Sequence, residues 1–301
     1  MNSISILLDS VVNVIQSCMN TYNRIPILAN YTPDNSVHIG NDLMIKVGVT
    51  HGKQEVTIHL NDSNPNLLIS GVCGSGKSVC LNTIINEIVT KYPHTKIYCF
   101  DYKIVELAQW STINQCEAFC YEEEDILETL TNILDNIRAE NKQLLSIGEV
   151  RAVPFEPCKI IIIEELAIAS KKVIDLIANI ASVGRSLNYR VICTCQRASA
   201  NDILSPKLKA LLTNRICFKT VDEANSKLVI DSPLASYINI VGRGYYSCDN
   251  ELTEFQGAYI NQTQIKETVN KNIKPKIKNV NNKANNINKT ENVETSWIDE
   301  I

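Results

Sequence analysis

The sequence has 301 residues, of which 45% are hydrophobic and 21% charged, and its formal net charge is −4. This composition describes a chain with enough apolar residues for one large domain or two small ones. No apolar run reaches the roughly 18 residues that a transmembrane helix needs, so the sequence predicts no membrane span and favours a cytoplasmic protein.

The chain opens with an amphipathic segment. In "ISILLDSVVNVIQSCMNTY" the apolar residues recur at helical spacing, which predicts a helix that packs on the core or on a partner. The alternating runs in "IKVGVTHGKQEVTIHL", with Gly52 and Lys53 between them, predict a β-hairpin. We therefore expect an N-terminal extension over residues 1–44 and a larger domain over residues 45–261.

From Leu67 onward, apolar runs of strand length alternate with longer helical patterns. The predicted strands are "NLLIS", "KIYCF", "KIIIIE", "RVICTC", "RICFK" and a closing pair around "GRGYYS" and "FQGAYI". The segment "DILETLTNILDNIRAENKQLL" predicts a long amphipathic helix. Strands that are apolar throughout and separated by helices indicate an α/β fold, with a mostly parallel sheet covered by helices on both faces.

The 11 cysteines are scattered and form no pair of CxxC motifs, which favours reduced thiols over a zinc ribbon or a disulfide framework. Cys193 and Cys195 lie in a predicted strand and would share one face of it, whereas the spacing of Cys116 and Cys120 would let them share a helix face. Either pair could bind a metal ion. Because no histidine or third cysteine lies at ligand spacing, buried thiols are the favoured interpretation.

The composition changes beyond Ile260. The segment "NQTQIKETVNKNIKPKIKNVNNKANNINKTENVET" is rich in asparagine and lysine without a sustained period, and it predicts a disordered tail over residues 262–301. Its lysines could attract phosphate backbones, although a solvated linker is the simpler interpretation. The final "SWIDEI" could act as a docking peptide.

The strongest motif is "GVCGSGKS", which satisfies G-x-x-x-x-G-K-[ST] between a predicted strand and a predicted helix. In such a loop the backbone N–H groups surround the phosphates of ATP, Lys77 contacts the β- and γ-phosphate oxygens, and the Ser78 hydroxyl binds Mg²⁺. The sequence therefore predicts an ATP site. Its residues are Gly71, Val72, Cys73, Gly74, Ser75, Gly76, Lys77, Ser78 and Val79.

Two carboxylates, Glu164 and Glu165, end the all-isoleucine run of "KIIIIEEL". In P-loop NTPases an acid at this point holds Mg²⁺ and a neighbouring acid activates water, so we expect Glu164 to bind the metal with Ser78 and Glu165 to be the general base. The alternative, in which the pair only begins the next helix, would leave two carboxylates beside an apolar strand without a cation. Another strand ends in Gln196 and Arg197, and Gln196 is a candidate for contacting the γ-phosphate.

Taken in order, these motifs resemble the FtsK/SpoIIIE-type DNA translocases, which belong with the HerA-like P-loop ATPases. The family's "GTTGSGKS" corresponds to "GVCGSGKS", its "DPK" and "LEL" to "CFDYKIVEL" with Asp101, Lys103 and Glu106, and its "DEF" to "EEL". Its "ARAAGIHLVLATQRPS" corresponds to "GRSLNYRVICTCQRAS", and its "IKANIPTRIAFKV" to "LKALLTNRICFKT". The resemblance covers roughly residues 45 to 260.

The resemblance implies a RecA-like motor that assembles as a homo-hexameric ring around double-stranded DNA and moves the DNA by ATP hydrolysis. It also implies an arginine that reaches the nucleotide of a neighbouring subunit, with Arg185 as the first candidate and Arg215 as the second. Two departures stand out: Glu164 replaces the family's aspartate, and "CQRA" replaces "TQRP".

Chromosome-segregating members of the family carry membrane spans and a winged-helix domain, for which this sequence shows no pattern. The compact motor instead resembles those of plasmids, phages and conjugative elements, which implies recruitment to a membrane channel or mobile-element partner through the N-terminal helix or the tail. Two alternatives stay open: a protein-export or coupling ATPase of the same superfamily, and a nucleotide-dependent scaffold with little hydrolysis. Candidate DNA contacts, each also explained as a solvated charge, are Lys171, Lys172, Lys207 and Lys209.

Overall fold

The computed structural model describes residues 29–32, 36–38, 42–149, 157–196 and 204–274. The predicted N-terminal helix, Arg197 and the "SWIDEI" peptide lie outside the described residues.

The described chain begins with three strands, β1 (Ala29–Asn30), β2 (Leu43–Val49) and β3 (Glu55–Leu60). Strands β2 and β3 pair antiparallel, and the turn between them contains Lys53 with a φ of 59°. This arrangement confirms the predicted hairpin.

Six strands form the parallel part of the sheet. They are β4 (Leu67–Ser70), β5 (Lys96–Asp101), β6 (Cys116–Cys120), β7 (Lys159–Glu164), β8 (Tyr189–Cys195) and β9 (Asn214–Phe218). Their spatial order is β9-β4-β8-β7-β5-β6. The isoleucines of β7 are fully buried, as expected for a strand covered on both faces.

An antiparallel extension continues the sheet beyond β9. Strand β10 (Arg243–Cys248) pairs with β9, and β11 (Glu251–Tyr259) then pairs with β10, β2 and β1. The extension joins the hairpin to the parallel strands in one continuous sheet.

Six α-helices accompany the described strands. They are α1 (Lys77–Lys91), α2 (Glu123–Ser146), α3 (Lys171–Val183), α4 (Pro206–Leu211), α5 (Glu223–Ile230) and α6 (Gln262–Lys271). Helix α1 packs on one face of the sheet, and α2 and α3 pack on the other, so the core has two layers of apolar contacts. Within the part of the chain that the structure describes, no helix is both long and apolar enough to cross a membrane.

The structure corrects two predictions about local structure. Cys116 and Cys120 lie in strand β6, so the prediction that they share a helix face was wrong. The predicted start of the disordered tail, residue 262, is too early in the chain, because Gln262–Lys271 form helix α6. Asn261 caps this helix reciprocally with Gln264, and Ile265 and Val269 pack against the core, so two apolar contacts and a capping box help to order an otherwise polar segment.

Parallel strands bring their carboxyl ends to one edge of the sheet, which we call the carboxyl edge; the opposite edge is the amino edge. Ser70, Asp101, Glu164, Cys195 and Phe218 end their strands at the carboxyl edge. Ligands of open α/β sheets bind in a crevice at this edge. The residues that follow these strand ends therefore form the candidate functional site.

Candidate nucleotide site

The phosphate loop, residues 71–78, connects β4 to α1. It is tied to both neighbouring strands, because the N–H of Gly71 donates to the carbonyl of Cys195 at 3.2 Å and that of Val72 to the carbonyl of Lys219 at 2.8 Å. Gly76 has a φ of 116° and begins α1 as its N-cap. In the described chain no side chain caps this helix and its first turn holds no acid, so its N–H groups are free to bind an anion.

Lys77 is buried, and its Nζ donates to the carbonyl of Val72 at 3.0 Å, which folds the side chain over the loop. Burial lowers the pKa of Lys77, while the carboxylates of Glu165 and Glu164 act in the opposite direction. The lysine and the two acids therefore share one electrostatic environment, although they lie on different elements.

The segment that directly precedes β10 packs against the phosphate loop. The N–H of Gly242 donates to the carbonyl of Ser75 at 2.9 Å, and a Cβ added to Gly76 would lie 3.0 Å from the Gly242 Cα. This close approach requires glycine at position 76, which also has a positive φ.

Beside this contact lies a cavity of about 560 Å³ with a mostly apolar lining. Its walls include Val79, Phe218, Val241, Gln256 and Tyr259. The sequence named Gly76 and Val79 but no other residue of the lining, because the remaining walls come from segments far apart along the chain.

Glu165 follows β7 in a strained conformation. Its φ is 61°, a value that a non-glycine residue adopts rarely. Thr194 of β8 holds it there, because the N–H of Glu165 donates to the Thr194 hydroxyl at 2.8 Å and the N–H of Leu166 to the Thr194 carbonyl at 2.8 Å. Backbone strain of this kind persists only where neighbouring contacts impose it, and it is common at functional sites.

The carboxylate of Glu165 has a partner on each oxygen. Oε1 accepts the backbone N–H of Gln196 at 3.0 Å, and Oε2 lies 3.3 Å from Nζ of Lys103. The side chain is 3% exposed, so its orientation is set by these contacts. The Gln196 side chain is half-buried beside it at the end of β8.

Glu164 is the other member of the pair and is also buried. Its Oε2 lies 3.7 Å from Nζ of Lys103, beyond hydrogen-bond distance, and no described residue donates a hydrogen bond to this oxygen. Burial raises the pKa of Glu164 to about 7; Lys103 opposes the rise, and Glu165 adds to it. A buried carboxylate oxygen without a donor is a position at which a cation would be stabilised.

Lys103 lies on the loop that follows β5, and its ammonium is close to both acids. Burial alone would lower the pKa of Lys103, but Glu164 and Glu165 raise it above its ordinary value. The sequence named Lys103 through its family pattern and assigned it no role.

The residues present fit a magnesium ion that is held mainly by a nucleotide. Among the described residues no group of three or more His, Cys, Asp or Glu side chains could hold a metal ion by itself. Mg²⁺ bound with nucleotide commonly takes only one or two protein ligands and otherwise uses phosphate and water oxygens. Ser78 and the unpartnered oxygen of Glu164 are the side chains that suit this role.

The two candidate arginines lie near the amino edge, away from the phosphate loop of their own subunit. Arg185 is exposed in the turn before β8, and its Nη1 donates to the backbone carbonyl of Asp62 at 3.3 Å. The buried Arg190 pairs with the carboxylate of Asp62 at 3.1 Å and so fixes the same loop.

Arg215 begins β9 and its guanidinium has several acceptors within the chain. Nε donates to the carbonyl of Leu212 at 2.9 Å, Nη2 to that of Lys209 at 3.2 Å, and Nη1 lies 3.2 Å from Oδ2 of Asp231. These contacts join α4, β9 and the end of α5.

The candidate DNA-contacting lysines are dispersed. Lys171 and Lys172 are exposed at the start of α3, whereas Lys207 contacts Asn179 and Lys209 forms an ion pair with Asp231 at 2.7 Å. Lys207 is exposed like the first pair, so Lys209 is the least accessible of the four.

The sequence matches the model of the FtsK/SpoIIIE family over residues 27–236. Among curated proteins, it is 28% identical over 232 residues to a DNA translocase FtsK of Clostridium tetani, which covers 68% of this chain and 30% of that protein. It is 27% identical over 265 residues to a DNA translocase FtsK of Staphylococcus aureus, covering 79% of this chain and 33% of that protein. The chain thus spans about a third of the length of these relatives.

Solved structures show the same fold. The pCW3 conjugation coupling protein TcpA, determined as a monomer with ATPγS, superposes with a TM-score of 0.70 at 19% identity, over 82% of this chain and 74% of that one. EssC (ATPases 2 and 3) from Geobacillus thermodenitrificans gives 0.69 at 16% identity, over 82% of this chain and 50% of that one. The mixed α/β architecture is therefore that of the P-loop ATPases, as predicted.

Proposed function

The chain belongs to the FtsK/SpoIIIE family, and we propose that it is an ATPase that couples ATP hydrolysis to the movement of double-stranded DNA. The observation that carries the proposal is the meeting of Lys77, Glu164, Glu165 and Gln196 at the carboxyl edge. These residues come from three parallel strands and their following loops, and they supply the groups that hydrolysis of a phosphoanhydride needs.

Binding comes first. The N–H groups of the phosphate loop and the Lys77 ammonium bind the β- and γ-phosphates, and the apolar cavity beside Gly76 accommodates the base and ribose. Ser78 and Glu164 would hold Mg²⁺, which would supply positive charge at the site.

The chemical step uses Glu165 as the general base. Its carboxylate, oriented by the Gln196 N–H and by Lys103, accepts a proton from the attacking water. The Gln196 side chain contacts the γ-phosphate from the adjacent strand end. Removal of the γ-phosphate would therefore change the contacts of β8, which is also bonded to the phosphate loop through Cys195.

Assembly completes the site. We propose a homo-hexameric ring in which Arg185 of one subunit reaches the phosphates bound by the next, because this side chain is exposed and distant from its own phosphate loop. Arg215 is a weaker candidate, since its guanidinium already binds acceptors on three segments of its own chain. Exposed Lys171 and Lys172 are candidates for contacting the DNA backbone, because contacts with its charged phosphates do not depend on sequence.

The test is steady-state ATP hydrolysis by the purified protein with and without linear duplex DNA at low salt, with Lys77→Ala as the blank. The proposal predicts hydrolysis that DNA stimulates several-fold and that the blank lacks. Nucleotide binding without any stimulation by DNA would contradict the DNA motor and favour a protein cargo or a scaffold.

A further inference from the structure

Lys103 is a cation placed between two buried carboxylates. Its Nζ lies 3.7 Å from Oε2 of Glu164 and 3.3 Å from Oε2 of Glu165, whose side chains are 7% and 3% exposed. Two adjacent buried carboxylates without a counter-ion would strongly disfavour folding. Among the ion pairs of the described residues, Lys103 is the cation that contacts both acids.

A buried aspartate holds the loop that carries Lys103. Asp101 is fully buried, and its carboxylate accepts the backbone N–H groups of Lys103 at 3.1 Å, Val105 at 3.0 Å and Leu107 at 2.9 Å. Ile104 lies in the left-handed region with a φ of 56°. The Asp101 carboxylate thus organises a tight turn that directs Lys103 towards the pair.

The contact with Glu164 differs from that with Glu165. The Glu165 oxygens both have donors, whereas Oε2 of Glu164 receives no hydrogen bond from the described chain and interacts with Lys103 only through charge. A purely structural ion pair would be expected to satisfy both acids. Instead, both acids share the Lys103 ammonium, and Glu164, the acid that suits a metal ion, is the one at the longer distance from it.

A divalent cation on Glu164 would lie close to the Lys103 ammonium. Two cations a few ångströms apart in a site of low dielectric repel each other strongly. Glu164 can therefore pair with the Lys103 ammonium at its present position or with a metal ion, but not with both.

We propose that Lys103 is a positioning residue that serves as a resident cation: it neutralises the Glu164–Glu165 pair in the nucleotide-free site and withdraws from Glu164, while retaining Glu165, when metal and nucleotide bind together. The site then takes up a divalent cation only with its nucleotide. This inference rests on the proposed nucleotide site and on the role of Glu164 within it.

The experiment measures Mn²⁺ binding to the nucleotide-free protein at one fixed pH, by the loss of the free-ion electron paramagnetic resonance signal. Lys103→Met is expected to bind Mn²⁺ at least tenfold more tightly than the unmodified protein. Lys103→Arg keeps the charge and should restore weak binding. Lys103→Met combined with Glu164→Gln should lose the gain, and Lys142→Met, which removes an exposed lysine of α2, should change nothing.

Equal Mn²⁺ affinities for the unmodified protein and Lys103→Met would overturn the proposal. If Lys103→Met fails to fold, Lys103→Gln tests the same point, because its amide can donate hydrogen bonds to the pair without a charge. Binding of ATPγS with Mg²⁺ to the unmodified protein is measured in parallel. Loss of that binding would refute the proposed function, whereas retained binding with equal Mn²⁺ affinities would refute the resident cation alone.

Discussion

The backbone N–H of Gln196 donates to Oε1 of Glu165 at 3.0 Å, so the end of β8 orients the carboxylate that follows β7. The Gly71 N–H in turn donates to the carbonyl of Cys195, one residue earlier. The phosphate loop, the end of β8 and Glu165 are therefore connected by hydrogen bonds that two backbone N–H groups donate.

Glu165→Gln should abolish turnover and leave nucleotide binding intact. The amide keeps the size of the side chain but cannot accept a proton from water, so we expect a loss of at least about 100-fold in hydrolysis rate. Single-turnover hydrolysis and fluorescent-nucleotide binding measure the two effects. Glu128→Gln, an exposed change on α2, is the control; hydrolysis by Glu165→Gln at the control rate would exclude this residue as the base.

Glu164 should make the stability of the nucleotide-free protein depend on pH. Its pKa is raised from 4.5 to about 7, so between these values the folded protein holds a proton that the unfolded chain has released. Stability therefore falls as pH rises from about 4.5 to about 7, and remains lower above that range.

Glu164→Gln should remove this dependence. Each pKa unit corresponds to about 1.4 kcal/mol, so the variant should be more stable than the unmodified protein above pH 7 by an amount on the order of 3 kcal/mol, and no more stable below pH 4.5. Urea unfolding across this range without metal or nucleotide measures the difference. Parallel pH profiles for the two proteins would mean that Glu164 is not the titrating group.

Arg185→Ala and Arg215→Ala should have different effects. Loss of Arg185 should slow hydrolysis by at least about 100-fold with little change in stability, because an arginine supplied to a neighbouring site acts on the transition state. Loss of Arg215 should reduce stability by roughly 1–3 kcal/mol, because the partly buried carbonyls of Leu212 and Lys209 lose their donor. Hydrolysis rates and urea midpoints distinguish the two.

Mixing subunits tests whether Arg185 acts in trans. Arg185→Ala and Lys77→Ala subunits are each expected to be inactive alone. In a mixed ring, a Lys77→Ala subunit supplies Arg185 to an intact phosphate loop, so part of the activity should return. No recovery from subunits that are shown to co-assemble would argue against this role.

Cys73 offers a chemical probe of the phosphate loop. Among the cysteines that the structure describes it is the exposed one, and it lies where the phosphates of a nucleotide are expected to bind. A maleimide should label it readily, and ATPγS with Mg²⁺ should slow the labelling at least tenfold. Cys73→Ser gives the background from the other thiols, and labelling that nucleotide leaves unchanged would place the ligand elsewhere.

The sequence predicted five of the six parallel strands, β4, β5, β7, β8 and β9, because their runs are mostly apolar. The runs "NLLIS" and "KIIIIE" need burial on both faces, and the helical segments between them supply it. The phosphate loop was equally clear, since its glycines and Lys77 follow a strand and begin a helix. Local pattern and tertiary structure agree at these positions.

Other features depend on contacts that no local pattern encodes. Strand β6 was interpreted as a possible helix because Cys116 and Cys120 are four residues apart, but pairing with β5 extends the segment. Asp101 organises its loop by accepting the backbone N–H groups of Lys103, Val105 and Leu107. Nearly every residue type has such an N–H group, so the sequence of this loop gives no signal of the role of Asp101. The proximity of Lys103 to Glu164 and Glu165 arises only when β5 and β7 pair.

If ATP hydrolysis moves the protein along duplex DNA, the protein should displace a triplex-forming oligonucleotide that is bound to linear duplex DNA. We expect ATP-dependent displacement by the unmodified protein, with none in ATPγS or with Glu165→Gln. DNA-stimulated hydrolysis without displacement on any length of flanking duplex would mean that hydrolysis does not move the protein along DNA.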